Sequence, residues 1–134
     1  PVHQDMVVCM GSAGGSLRAY NSLGVSNQGS VTNTSIRVLA FVHAETSTGA
    51  LSDAKTLCGL AKQYNALSIV DAVTSMGGVP LMVDEWQADA GYSGSQKCLS
   101  CTPGLSPVTF SDAAVAAIKA RKHFSGFFCS PFYH

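Results

Sequence analysis

Three polar side chains in this sequence follow or close runs of apolar residues, and together they could do chemistry. Lys97 lies in Tyr92-Ser93-Gly94-Ser95-Gln96-Lys97-Cys98-Leu99-Ser100, among small uncharged neighbours, where it is placed to be held rather than to wave in solvent. Asp71 ends Leu67-Ser68-Ile69-Val70-Asp71. A carboxylate closing a buried run is costly to desolvate unless a cation or several donors meet it. Its bland alternative is an Asp that caps the next turn through local backbone bonds. Thr46 belongs to the polar loop His43-Ala44-Glu45-Thr46-Ser47-Thr48-Gly49 after a third apolar run. Alone, Lys97 reads as a solvated surface lysine. With a strand-end carboxylate it gains other uses. The amine can condense with an aldehyde. The carboxylate can keep a ring nitrogen protonated, so that the ring draws electrons from an adjacent carbanion. The amine, once freed, can then carry the proton.

The elements that must position these groups follow from pattern. Val38-Leu39-Ala40-Phe41-Val42 is continuous, β-prone and apolar, which predicts a strand buried on both faces of a parallel sheet. Ser52-Asp53-Ala54-Lys55 opens a helix with Ser52 as candidate N-cap, and Leu57, Leu60, Ala61 and Tyr64 fall on one face of it. Asn65 tolerates the left-handed conformation that ends a helix. Leu67–Asp71 is then a second strand, and strand, helix, strand over this length is a right-handed βαβ unit. Gly77, Gly78 and Pro80 mark a loop, Val79-Leu81-Val83 a short packed piece, and Asp84-Glu85-Trp86-Gln87 a helical turn. A third strand from about Asp89 to Ser93 delivers the lysine turn. Leu105–Phe110 reads as a fourth, with Pro107 favouring an edge or a strand start. Ser111-Asp112 caps a last helix running to Lys122, whose basic end suits the helix dipole. Ligands of open α/β sheets sit at the C-terminal ends of the strands, where Thr46, Asp71 and Lys97 are all delivered.

The flanks differ in character. Met6–Met10 could form a short buried strand, but 16 of the 25 residues from Gly11 to Ser35 are Gly, Ser, Asn or Thr. That composition predicts a loop or disordered segment. Residues 1–35 therefore form one unit, residues 36–122 the ordered core, and residues 123–134, with four of the six phenylalanines, an unplaced tail. No repeat is visible.

Bulk properties limit function. A chain of 134 residues is one domain, and a formal net charge of zero leaves no basic field for nucleic acid or an anionic membrane. No apolar run approaches the roughly 20 residues that span a bilayer. Only 12% of residues are charged, which predicts a sticky isolated monomer. Five irregularly spaced cysteines argue for reduced thiols and a cytoplasmic chain, with organellar targeting left open. A start at Pro1 without Met predicts a fragment or processed product.

A strand-end Asp with a lysine on a later strand end is what pyridoxal 5′-phosphate chemistry needs. Three stretches, Phe41–Gly49, Val70-Asp71-Ala72-Val73-Thr74-Ser75-Met76-Gly77-Gly78 and Tyr92–Lys97, resemble the central motifs of class V pyridoxal phosphate aminotransferases, in the alanine–glyoxylate and serine–glyoxylate (serine–pyruvate) group. The resemblance runs from about Val38 to Lys122, with motif order and the 26-residue step from Asp71 to Lys97 intact. It implies a partial fold-type-I large domain of the α/β class, a mostly parallel sheet with flanking helices. It also implies Lys97 as the Schiff-base lysine, Asp71 as the pyridinium partner, Val73 as an apolar wall on one ring face, Thr46 near the phenolic oxygen or substrate, and Gln96 at the phosphate. The implied activity moves an amino group from alanine or serine to glyoxylate or pyruvate, in a protein usually dimeric when full length.

Family members are about three times this long. The Gly-rich phosphate loop, the aromatic residue of the other ring face and the C-terminal domain that binds the substrate carboxylate have no counterpart here. Residues 1–37 and 123–134 carry no matching motif, which predicts segments foreign to the family and leaves a second reading, a non-catalytic remnant of it. A cysteine desulfurase is a third, disfavoured because no conspicuous histidine precedes Lys97. Gly91 stands where β-branched residues are usual and weakens its strand by about 0.5–1 kcal/mol. Thr102 replaces a frequent proline, a smaller change.

Other motifs carry less. Gly11-Ser12-Ala13-Gly14-Gly15-Ser16 has neither phosphate-loop spacing. Cys98-Leu99-Ser100-Cys101 lacks a second Cys/His pair for zinc and does not open a thioredoxin-like helix. Gly91–Ser95 misses the nucleophile elbow. His43, Glu45, His123 and His134 are too scattered for a metal site, so none is expected.

Overall fold

The computed structural model describes residues 37–121 and the backbone of two short strands before them, β1 (Met6–Cys9) and β2 (Ala19–Tyr20). The chain then runs β3 (Val38–Val42), α1 (Ala54–Gln63), β4 (Leu67–Asp71), β5 (Ala90–Tyr92), β6 (Val108–Phe110) and α2 (Asp112–Lys119). One sheet takes the order β2-β1-β3-β4-β5-β6. β1, β3, β4 and β5 are parallel, and β2 and β6 close the two edges antiparallel. The expected α/β architecture with a mostly parallel sheet is present. Pro107 lies just before the edge strand β6, where its missing N–H costs no ladder bond. Within the stretch expected as loop, Ala19–Tyr20 pairs with β1 instead. The tail 123–134 lies outside the described residues.

Helix α1 forms because a cap, a small-residue stripe and a stop signal coincide. Its N-cap is Asp53 rather than Ser52. The Asp53 carboxylate accepts from both the amide and the hydroxyl of Thr56, whereas Ser52 Oγ turns back and donates to the Val42 carbonyl. The stop is as expected: Asn65 takes φ 52°. The buried stripe is Ala54, Cys58 and Ala61, with Leu57 partly buried beside it. Tyr64, expected on that face, is 67% exposed. Small side chains let the helix lie close on β4.

Leu39, Phe41 and Val70 point to the helix side and complete the core with Ala66, while Leu81, Trp86 and Ala88 pack against it. Full burial of a side chain like Val70 contributes about 1.5–3 kcal/mol. The expectation of strands buried on both faces is corrected here. Burial alternates along β3 and β4, because α1 covers one face and the eight-residue α2 only part of the other. Between α2 and that second face runs a groove of about 690 Å³, with Val38, Leu67, Ile69 and Ile118 in its walls. α2 begins as expected at Ser111, whose hydroxyl accepts from the Ala114 amide, but ends at Lys119, short of Lys122.

Candidate active site

The C-terminal ends of β3, β4 and β5 deliver three loops to one edge of the sheet. After β3, the chain makes a tight turn in which Glu45 N–H donates to Ala50 O and Gly49 N–H to Glu45 O, with Gly49 at φ 69°. The Glu45 carboxylate accepts from the amide and hydroxyl of Ser47, which holds its carboxyl below the usual range. Thr46 is exposed on this turn, and its hydroxyl lies 2.7 Å from that of Thr74, which ties the first loop to the second.

Asp71 closes β4 beside that contact. The Val73 amide donates to its Oδ1 at 3.0 Å, the local capping bond that the sequence allows. The Tyr92 hydroxyl donates to its Oδ2 at 2.8 Å. Tyr92 was not among the residues singled out by type. It reaches Asp71 because the parallel register of β4 and β5 sets the two opposite one another. Burial, with the hydrogen bond and negative charge of Asp71, pushes the Tyr92 phenol up to about 12. Val73 follows half-buried, and Ser75 Oγ is buried without a partner among the described residues.

The lysine turn is stapled at its backbone. Ser93 and Ser95 are buried. Ser93 N–H donates to Pro107 O, Ser93 Oγ to Ala72 O, and Ser95 Oγ to Thr102 O at 2.6 Å. Ser100 N–H closes on the Lys97 carbonyl. Cys98 Sγ lies 3.1 Å from Thr74 O, and the close approach needs Gly78, since a Cβ there would stand 2.7 Å from Cys98 Sγ. The turn is therefore held as expected, but the side chain is not. Lys97 is exposed and makes no hydrogen bond or ion pair among the described residues. Gln96 is exposed beside it, with its amide folded back toward Gly94.

Behind the edge, His43 is buried against Trp86 in an edge-on contact at 5.3 Å, with Nδ1 unpartnered among the described residues. Burial lowers its pKa, and its backbone amide binds the Asp71 carbonyl. Among the described residues no group of three or more His, Cys, Asp or Glu could hold a metal ion, and no helix is long and apolar enough to cross a membrane.

Comparison with known proteins decides the family. The profile of the family "Aminotransferase class-V" matches residues 16–129. The chain belongs to the class-V aminotransferases. Its match takes in parts of both flanks, where no motif is legible. Alanine–glyoxylate aminotransferase of Oryctolagus cuniculus is 44% identical over 85 residues, which are 63% of this chain and 22% of that protein. The (S)-ureidoglycine–glyoxylate transaminase of Bacillus subtilis is 43% identical over 86 residues, 64% of this chain and 21% of the relative. Among solved structures, alanine–glyoxylate aminotransferase from Nostoc sp. superposes with a TM-score of 0.64 at 45% identity, over 66% of this chain and 24% of that one. The chain thus spans about a fifth to a quarter of the length of these class-V relatives.

The class-V family is pyridoxal phosphate-dependent. The donor set here suits that cofactor. An unpaired amine on a rigid turn can meet an aldehyde, and a strand-end carboxylate can meet a ring nitrogen. Both oxygens of Asp71 already accept one bond, and each keeps a further lone pair.

Proposed function

We propose that this chain carries the cofactor-anchoring core of an aminotransferase that exchanges an amino group between alanine or serine and glyoxylate or pyruvate. The observation that carries the reading is convergence. Thr46, Asp71 and the lysine turn occupy one sheet edge and are tied together by the Thr46–Thr74, Tyr92–Asp71 and Cys98–Thr74 contacts. Pyridoxal phosphate supplies the electron sink for amino-group transfer when bound. Lys97 Nζ would hold the cofactor through its aldehyde and would carry the substrate's α-proton. Asp71 would accept from the protonated ring nitrogen. Val73 offers a rigid apolar wall, Thr46 a hydroxyl at the phenolic or substrate side, and Gln96 an amide for the phosphate. Homodimerisation and the binding of amino and 2-oxo acids belong to the full-length protein on this reading.

The test is borohydride trapping of pyridoxal phosphate on the 134-residue chain, with peptide mapping of all five lysines. Selective labelling of Lys97 over Lys55, Lys62, Lys119 and Lys122 is expected. Uniform labelling overturns the assignment.

A second reading is a non-catalytic remnant of the family. It expects Lys97 to be labelled in a full-length relative and not in this chain. A half-reaction with alanine, followed by absorbance, separates anchoring from turnover.

A further inference from the structure

We infer that Tyr92 is a positioning residue for Asp71: its hydroxyl locks the carboxylate in the orientation that meets the cofactor's ring nitrogen. The inference rests on the cofactor-anchoring role of Asp71 and goes beyond it by naming the group that sets its geometry. Tyr92 and Asp71 are directly opposed in the parallel β4–β5 register, so both side chains rise from the same sheet face. The bond from Tyr92 to Oδ2 has an ordinary O–H···O length, 2.8 Å. The Val73 amide pins the other oxygen at 3.0 Å. Two donors from different segments, one on each oxygen, leave the carboxylate no free rotation about its Cβ–Cγ bond. The Val73 bond alone is the ordinary local cap of an Asp before a turn and would leave Oδ2 free.

Tyr92 is suited to be a permanent donor. Burial and the neighbouring Asp71 push its phenol up to about 12, so it is a donor at neutral pH. Tyr92 is 42% exposed, so the hydroxyl bond rather than core packing is what the site gains from a tyrosine. The hydrogen-bond partners of the Asp71 carboxylate among the described residues are both neutral donors, the Val73 amide and the Tyr92 hydroxyl. Among the described residues no cation pairs with Asp71, which leaves its charge for an incoming one.

The experiment compares the whole chain with Tyr92→Phe, Asp71→Asn and the double variant, reading the pyridoxal phosphate concentration that half-saturates borohydride trapping on Lys97. Tyr92→Phe is expected to raise it roughly tenfold, the scale of a hydrogen bond to a charged group, with the thermal midpoint little changed. In the Asp71→Asn background the same change is expected to have no further effect, and the double-mutant cycle isolates that dependence. With a 1-deaza analogue of pyridoxal phosphate, which has no ring nitrogen, the penalty should vanish. Equal half-saturation in wild type and Tyr92→Phe overturns the inference while leaving Lys97 as anchor. A penalty that persists with the analogue, or in the Asp71→Asn background, overturns it as well. Absence of selective Lys97 labelling in the wild type removes the anchoring role itself.

Discussion

The sheet has two edges, and each holds an aspartate that the other explains. At the C-terminal edge Asp71 keeps lone pairs open, beside exposed Thr46 and Lys97. At the opposite edge Asp89, just before β5, is fully buried and fully answered. Lys62 Nζ donates to its Oδ1 at 2.6 Å and Ser111 Oγ at 2.9 Å, while the Ser68 amide and hydroxyl donate to Oδ2 at 2.9 and 3.2 Å. Its own amide and carbonyl bind Ser68 Oγ and the Ser111 amide. One carboxylate thereby joins α1, β4, β5 and the cap of α2. The difference teaches what open and closed acceptors are for. A carboxylate whose every lone pair is met by its own protein holds structure, and one left with vacancies at a strand's C-terminal end is available to a ligand.

Breaking the closed site should cost the most. Asp89→Ala removes the acceptor of the buried Ser68 amide and hydroxyl and of the Ser111 hydroxyl, each unmet donor costing about 1–3 kcal/mol, while the half-exposed Lys62 can turn to water. Asp71→Asn should cost less than about 1 kcal/mol, because Tyr92 and Val73 keep an acceptor or find water. Urea unfolding of the two variants checks this directly. Near-equal losses would erase the distinction between the edges.

Acid should separate the edges next. Burial pushes the Asp89 carboxyl up, but Lys62, the Ser68 amide and Ser111 outweigh it, and the net shift is downward. A carboxyl lowered on folding contributes stability that is present above the ordinary value of about 3.9 and lost as pH falls through the folded value. His43 adds a second step at milder pH. Its pKa is lowered by burial, so the unfolded chain binds the proton more readily, and stability falls as pH drops below about 6.5. For one proton the slope is at most about 1.4 kcal/mol per pH unit. Thermal midpoints measured from pH 7.5 down to pH 5.5 should decline in the wild type. In His43→Phe that decline should flatten.

How far these sites were legible follows from the sequence distance of their parts. Asp71 and Lys97 could be found because each stands out locally, a charge at the end of an apolar run or in a small-residue turn. Asn65 and Ser111 were legible for the same reason, since a cap is a property of a few neighbouring residues. Asp89 was not, because its partners Lys62, Ser68 and Ser111 lie 27, 21 and 22 residues away and meet only when the sheet and both helices are assembled. Tyr92 required the register of β4 on β5. The buried stripe of α1 differs in facing: Leu57, Leu60, Ala61 and Tyr64 share one arc, but the helix turns Ala54, Cys58 and Ala61 toward the sheet, and small, readily buried side chains suit that close approach. The exposed Lys97 is the reverse case: a rigid backbone turn does not by itself hold a long, flexible side chain.

The finest test uses two glycines, one near each kind of structure. Gly91, in the middle of β5, is buried but has no unusual backbone angle, and a Cβ built there meets Thr109 Cγ2 at 3.4 Å, Val70 O at 3.7 Å and Val83 Cγ1 at 4.0 Å. These are ordinary contacts beside a void of about 210 Å³ walled by Val70, Leu81, Val83 and Val108. Gly91→Ala therefore adds burial without a clash and removes freedom from the unfolded chain, which is expected to stabilise by about 0.4–1 kcal/mol. Gly78 lies at the lysine turn, where a Cβ would press on Cys98 at 2.7 Å from Sγ and 3.2 Å from Cβ. Gly78→Ala should displace the turn and lower selective labelling of Lys97, with a smaller effect on the unfolding midpoint. If Gly91→Ala instead lowers the midpoint, β5 is already at its closest packing on β6 and cannot spare the methyl group's room.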